Sequence, residues 1–161
     1  MRMKCWLLVF LVLILMAAGG LLLASRFDIS ALPEPGAGET YLATKGKRWL
    51  IVRAAEGTKG PGEPANPARG RMIFMGECSV CHGNDGHTPS NAGRWMYPRT
   101  PDLASKEVQQ WSDPELHWII KHGVRLSGMP GFGNVYNDEQ VWQLVHYVRG
   151  LATAPQNPEK Q

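Results

Sequence analysis

The sequence predicts an all-α fold preceded by one apolar N-terminal helix, and three observations carry that expectation. Helix-start signals open apolar stretches at Asn66-Pro67, Ser112-Asp-Pro-Glu115 and Asn137-Asp-Glu-Gln140. No stretch alternates apolar and polar residues strictly enough for a sheet. Cys5–Ala24 runs for 20 residues without a charge, behind Arg2 and Lys4.

At 161 residues the chain has room for one domain and its appendages. With 18 Gly, 12 Pro and only 19% charged residues, part of it reads as linker. Three cysteines exclude a dense disulfide scaffold. A net charge of +3 is too small for a nucleic-acid binder, and no nucleic-acid partner is expected. That charge is also unevenly placed. Residues 1–66 hold eight Lys/Arg against five Asp/Glu, whereas residues 67–155 hold eight of each. Excess positive charge beside an apolar segment points to a membrane surface.

The uncharged run would span ~30 Å as a helix, the thickness of a bilayer's hydrocarbon core. Residues 1–27 are therefore expected to form a single-pass signal anchor in a bacterial cytoplasmic membrane, meeting lipid through residues 5–24. The competing reading is a cleaved signal peptide ending at the small residues Ala17-Ala18-Gly19. Leu21-Leu22-Leu23 restores the apolar run beyond that point and favours retention. The positive flank leaves the remainder outside the cytoplasm, on the periplasmic side. Cys5, at the membrane edge, reads as an apolar filler.

Residues 28–66 read as a periplasmic linker, with Pro/Gly-rich stretches at 32–38 and 57–64. Between them, residues 39–55 mix Lys45, Lys47, Arg48 and Arg53 with Leu42, Trp49, Leu50 and Val52. That mixture fits an amphipathic helix on an anionic membrane or a docking segment for a partner. Gly46 weakens the helix, and Leu50-Ile51-Val52 leaves a short strand open.

The most informative stretch is Cys78-Ser-Val-Cys81-His82. Cys-x-x-Cys-His is the attachment signature of c-type heme. The two thiols add to the heme vinyl groups as thioethers, and the adjacent imidazole falls beneath the iron. A redox dithiol would sit in alternating strands and helices, which are not evident. A zinc site needs a fourth ligand that His82 and His87 do not supply. A structural disulfide leaves His82 unexplained. One covalent heme c is the cofactor expected, with His82 as a metal ligand.

The second metal ligand is expected 47 residues downstream, at Met129 in the turn Gly128-Met-Pro-Gly131. His87 lies too near His82 to cross to the other face of the heme, and His117, His122 and His146 fall within helices, where surface positions are expected. Met/His ligation suits electron transfer. Buried propionates require N–H and O–H donors, for which Trp95, Tyr97 and Arg99 are the candidates, with Trp111 beside them. Simple packing of the tryptophans against porphyrin and core is the alternative.

Around these residues a first helix is expected from Pro67 to about Glu77, a second over Asp113–His122 ended by Gly123, and a last over Asp138–Arg149 ended by Gly150. Val141, Leu144, Val145 and Val148 form an apolar stripe on the last. From Asn66 to Leu151 the chain resembles the class I c-type cytochromes. Gly70, Phe74 and Cys78 match that family's first-helix spacing, and Leu144 and Tyr147 look like its partner pair on the final helix. The resemblance implies a cytochrome c fold of three to four helices around one heme, with these two helices crossing at Gly70. It also implies His82 as proximal and Met129 as distal ligand. Residues 67–155 are then a monoheme cytochrome c domain and residues 156–161 a disordered tail.

The function expected is single-electron transfer between respiratory or photosynthetic chain components by a membrane-tethered cytochrome, without enzymatic turnover of its own. Its partners would be redox proteins or a larger respiratory complex. Two alternatives stand beside it: a fixed subunit of a membrane oxidoreductase, and a heme sensor or peroxidase whose distal ligand is labile.

Overall fold

A computed structural model describes residues 2–26, 28–62 and 66–153. The tail expected over residues 156–161 lies outside them. Among the described residues there are helices and irregular segments and no strand. Two compact units divide after Pro33.

The first unit holds α1, Arg2–Ser25. Within it Cys5–Ser25 is long and apolar enough to cross a membrane, a property signal sequences share. Its apolar side chains, Phe10 and Leu15 among them, are exposed. A helix apolar on every side is at home in lipid or a large core.

The second unit begins at Glu34. Its first element, α2 (Ala37–Ala54), settles the choice between helix and strand at residues 39–55 in favour of the helix. This stretch, expected within a linker, packs with the helical unit. Ile51 is buried at its inner side, Arg48 lies 4.8 Å over the Trp111 ring, and α7 (Asp113–His122) is its neighbour. Leu42, Trp49 and Leu50 remain exposed.

Asn66 caps α3 (Pro67–Ile73) as expected, accepting the Ala68 N–H at 3.0 Å. The helix expected to run to about Glu77 continues past it to His82, with a change of pitch on the way. Phe74–Cys78 widens into π-type turns, and α4 (Ser79–His82) follows. Such single-turn insertions are frequent at functional sites, and the extra residue re-aims the side chains after it.

Two short helices, α5 (Asn91–Trp95) and α6 (Lys106–Gln109), are capped by Ser90 and Ser105. At α7 the Ser112/Glu115 capping box forms, and Gly123 ends the helix at φ +70° as expected. The last helix, α8 (Asp138–Leu151), starts on the Asn137/Gln140 capping box but runs through Gly150. Burial of Leu151 accounts for the two extra residues, since its packing outweighs the helix cost of one glycine.

The core lies where α3 and α8 cross, with Phe74, Val141, Leu144 and Val145 fully buried. A Cβ on Gly70 would stand 2.1 Å from the Gln143 carbonyl oxygen, so only glycine permits this approach. Phe74 and Tyr147 meet with ring centroids 5.0 Å apart. The crossing implied by the resemblance is the one observed. One surface expectation fails: His117 is only 4% exposed, because α7 turns it onto the Trp142 ring at 4.5 Å.

Candidate heme site

The cysteine pair sits on one continuous helical path. After the π-type turns, the Ser79 hydroxyl donates to the Met75 carbonyl at 2.8 Å, and α4 carries Cys81 and His82 into the Gly83 turn. Gly83 adopts φ +75°, ψ 162°, a region open essentially to glycine. Cys78 and Cys81 are free thiols, both partly buried. Burial, then the charges of Glu77 and Cys81, push the Cys78 thiol up to about 12. A thiol so reluctant to ionise is a poor redox nucleophile, which acts as a thiolate.

His82 supplies the test of fit. Its Nδ1 lies 3.3 Å from the Pro101 carbonyl oxygen. A carbonyl only accepts, so the proton is on Nδ1 and the Nε2 lone pair is left for a metal. Burial holds the His82 pKa below its ordinary value, partly countered by that hydrogen bond, which keeps the ring neutral as metal ligation requires. Backbone pairing to a ring nitrogen is the usual way a ligating histidine is oriented. Two thiols one turn apart with a neutral, oriented imidazole next to the second fit heme c.

The loop after His82 is laced to this turn. The Cys81 carbonyl accepts from the Ser90 N–H at 3.1 Å, and a Cβ on Gly93 would come within 2.1 Å of the same oxygen. The Leu103 N–H donates to the Gly86 carbonyl at 2.9 Å, which brings Pro101 alongside His82. Sequence reading missed the role of Pro101, because a backbone carbonyl 19 residues away carries no side-chain signal.

The candidate propionate contacts meet other partners within the protein. Trp95 is 79% exposed. The Tyr97 hydroxyl donates to the Glu39 carboxylate, and the Arg99 guanidinium pairs with Glu34 and donates to the Arg94 carbonyl. Tyr97 and Arg99 thus meet the acidic start of the α2 segment. Trp111 is buried in the core beneath Arg48.

Met129 is partly buried and borders the same core as Cys78. Its loop folds back along the end of α7: the Met129 carbonyl accepts from Val124 at 3.2 Å, Phe132 donates to Ile120 at 3.1 Å and Gly133 to Lys121 at 2.8 Å. A Cβ on Gly123 would lie 2.6 Å from the Gly131 nitrogen, and one on Gly131 2.7 Å from His122 backbone. The Ser127 hydroxyl also takes the Met129 N–H at 3.2 Å. The Met96 sulfur packs against Gly128, and Tyr136 donates to Glu77 at 3.1 Å beside Cys78; neither contact had a sequence signal.

A family model described as cytochrome c oxidase, cbb3-type, subunit III, matches residues 65–148. A thiosulfate dehydrogenase of Stutzerimonas stutzeri (strain A1501) is 27% identical over 147 residues, covering 82% of this chain and 46% of that protein. The cbb3-type cytochrome c oxidase subunit FixP of Sinorhizobium medicae (strain WSM419) is 29% identical over 102 residues, covering 55% of this chain and 31% of its own length. The chain thus spans less than half of each of these relatives. Among solved structures, the KustC0563 c-type cytochrome is similar at 30% identity and a TM-score of 0.45, over 51% of this chain and 95% of its own.

Proposed function

This chain belongs to the c-type cytochrome family described as cytochrome c oxidase, cbb3-type, subunit III, and we propose that it is a membrane-tethered carrier passing single electrons between redox proteins at the outer face of the cytoplasmic membrane. Heme c, when attached, supplies a one-electron Fe(II)/Fe(III) couple. The observation carrying the reading is the His82 ring, held neutral with its Nδ1 proton on Pro101 and its Nε2 lone pair available, one residue beyond Cys81.

The division of labour among residues follows. Cys78 and Cys81 would hold the cofactor, so the small unit would retain it without a deep pocket. His82 and Met129 would both ligate its iron, which would leave no position there for substrate and raise the potential relative to a bis-histidine site. Phe74, Leu144 and their neighbours keep water away, which favours the less charged state of the metal. The apolar segment 5–24, retained as an anchor, holds the cytochrome near membrane partners and raises their effective concentration.

The pyridine hemochrome spectrum tests the attachment: heme that stays with the chain through acid–acetone extraction is expected, and a colourless chain would overturn the reading. Replacement Met129→Ala tests the second ligand. We expect loss of the methionine-to-ferric-iron absorption band, carbon monoxide binding by the reduced protein, and a potential lower by on the order of 100 mV. An unchanged spectrum would remove Met129 from the site.

The names of the two curated relatives favour a second reading, in which the chain is the fixed cytochrome part of a larger oxidoreductase. Heme that stays with one detergent-stable assembly through purification would support that reading over the shuttle.

A further inference from the structure

We propose that the outer face of α2 lies on an anionic lipid surface, fixing the cytochrome unit against the membrane that α1 enters. This rests on reading α1 as a retained membrane helix. The inner side of α2 is used already: Ile51 is buried, and Arg48, one turn earlier, covers Trp111. At about 100° per residue, Tyr41, Leu42, Lys45, Trp49, Val52 and Arg53 fall within an arc of roughly 120° on the other side. All six are exposed. The Lys45 ammonium sits 5.8 Å from the Tyr41 ring and the Arg53 guanidinium 5.0 Å from the Trp49 ring, so the cations and aromatic rings form one continuous surface.

Charge selects the occupant. The arc carries no acid; the helix's one carboxylate, Glu39, accepts from Tyr97 away from it. Residues 67–155 have no net charge, so the cytochrome domain beyond residue 66 adds no net attraction or repulsion toward an anionic bilayer. Aromatic rings interleaved with Lys and Arg on a helix are what the headgroup region of anionic lipid accommodates. The chain also permits the encounter. Residues 26–33 alone separate α1 from the unit that contains α2, a reach of roughly 30 Å when fully extended.

The test uses full-length holoprotein with Cys5→Ala and a nitroxide attached through Leu42→Cys, reconstituted into vesicles. Collisions with an aqueous nickel chelate and with dissolved oxygen report which side the label faces. In vesicles containing phosphatidylglycerol the label is expected to be shielded from nickel and open to oxygen. In phosphatidylcholine vesicles it is expected to face water. Neutralising Lys45→Gln and Arg53→Gln together should shift the docked–free balance by roughly thirtyfold toward free, with the heme spectrum unchanged. A carbonate-resistant chain whose label is equally open to nickel in both vesicle types overturns the docking alone. Shielding that appears only on adding an acidic soluble protein overturns lipid as the occupant. A chain released by alkaline carbonate overturns the anchor and the proposal with it.

Discussion

The crossing of α3 and α8 and the loop from Gly123 to Gly133 both bring backbone into close contact through glycine, but by different physics. At the crossing, Gly70 lets one helix settle onto the Gln143 carbonyl, and Phe74, Leu144 and Val145 bury their side chains around it. The energy there is apolar burial, spread over many contacts. In the loop, Gly123 and Gly131 let backbone hydrogen bonds form between α7 and the segment bearing Met129, with little apolar burial. The comparison teaches that the two stretches proposed to ligate the iron are held with unequal stiffness: the Cys-His turn belongs to the cooperative core, whereas the Met129 loop can open locally.

The largest effect should come from Gly70→Val, whose side chain would overlap Gln143 backbone. It should cost about 3 kcal/mol and lower the melting temperature by roughly 10 °C, with helical circular dichroism and heme signals lost together. Gly123→Ala comes next. At φ +70°, ψ −173° an alanine is strained as well as crowded, at about 2 kcal/mol. Here the methionine–iron band should be lost while far-ultraviolet dichroism and the hemochrome persist. Equal loss of both signals in both variants would refute the difference in stiffness.

A smaller effect belongs to the pH dependence of the α7–α8 contact. Burial lowers the His117 pKa, Asp138 opposes this, and Lys121 and His122 add to it. Below about pH 6.5 the unfolded chain takes up a proton that the folded chain refuses. This contribution is therefore present in full above that pH and lost as the pH falls through it, at up to ~1.4 kcal/mol per pH unit. Denaturant titrations from pH 7 to 5 should show a flatter slope for His117→Gln than for the parent; parallel slopes would relieve His117 of the role. The smallest effect is Asn137→Ala, which removes the cap that accepts the Gln140 N–H at 3.0 Å. It should cost about 1 kcal/mol by chemical denaturation without moving the heme spectrum.

Much of the molecule was legible in one dimension because the relevant interactions are local. Capping boxes join residues three apart, and both formed, at Ser112/Glu115 and Asn137/Gln140. Helix periodicity placed Val141, Leu144, Val145 and Val148 in the core. The π-type turns at Phe74–Cys78 were not legible, since α and π ladders differ by one residue in backbone pairing and share the same side-chain pattern. Neither was the burial of His117, which requires knowing that α8 supplies Trp142 opposite it.

What the order of residues decided without help is the chemistry that must be local: two thiols and an imidazole within one turn, an uncharged run long enough for a bilayer, and the start of each capped helix. Folding in three dimensions decided what joins distant stretches. It set Pro101 behind His82, turned Tyr97 and Arg99 toward Glu39 and Glu34, and laid α2 on α7 through Ile51. The physical reason is range. A cap or a thioether pair is specified by spacing along the chain, whereas a backbone carbonyl or a packed face acquires its partner only when remote segments compete for the same buried surface.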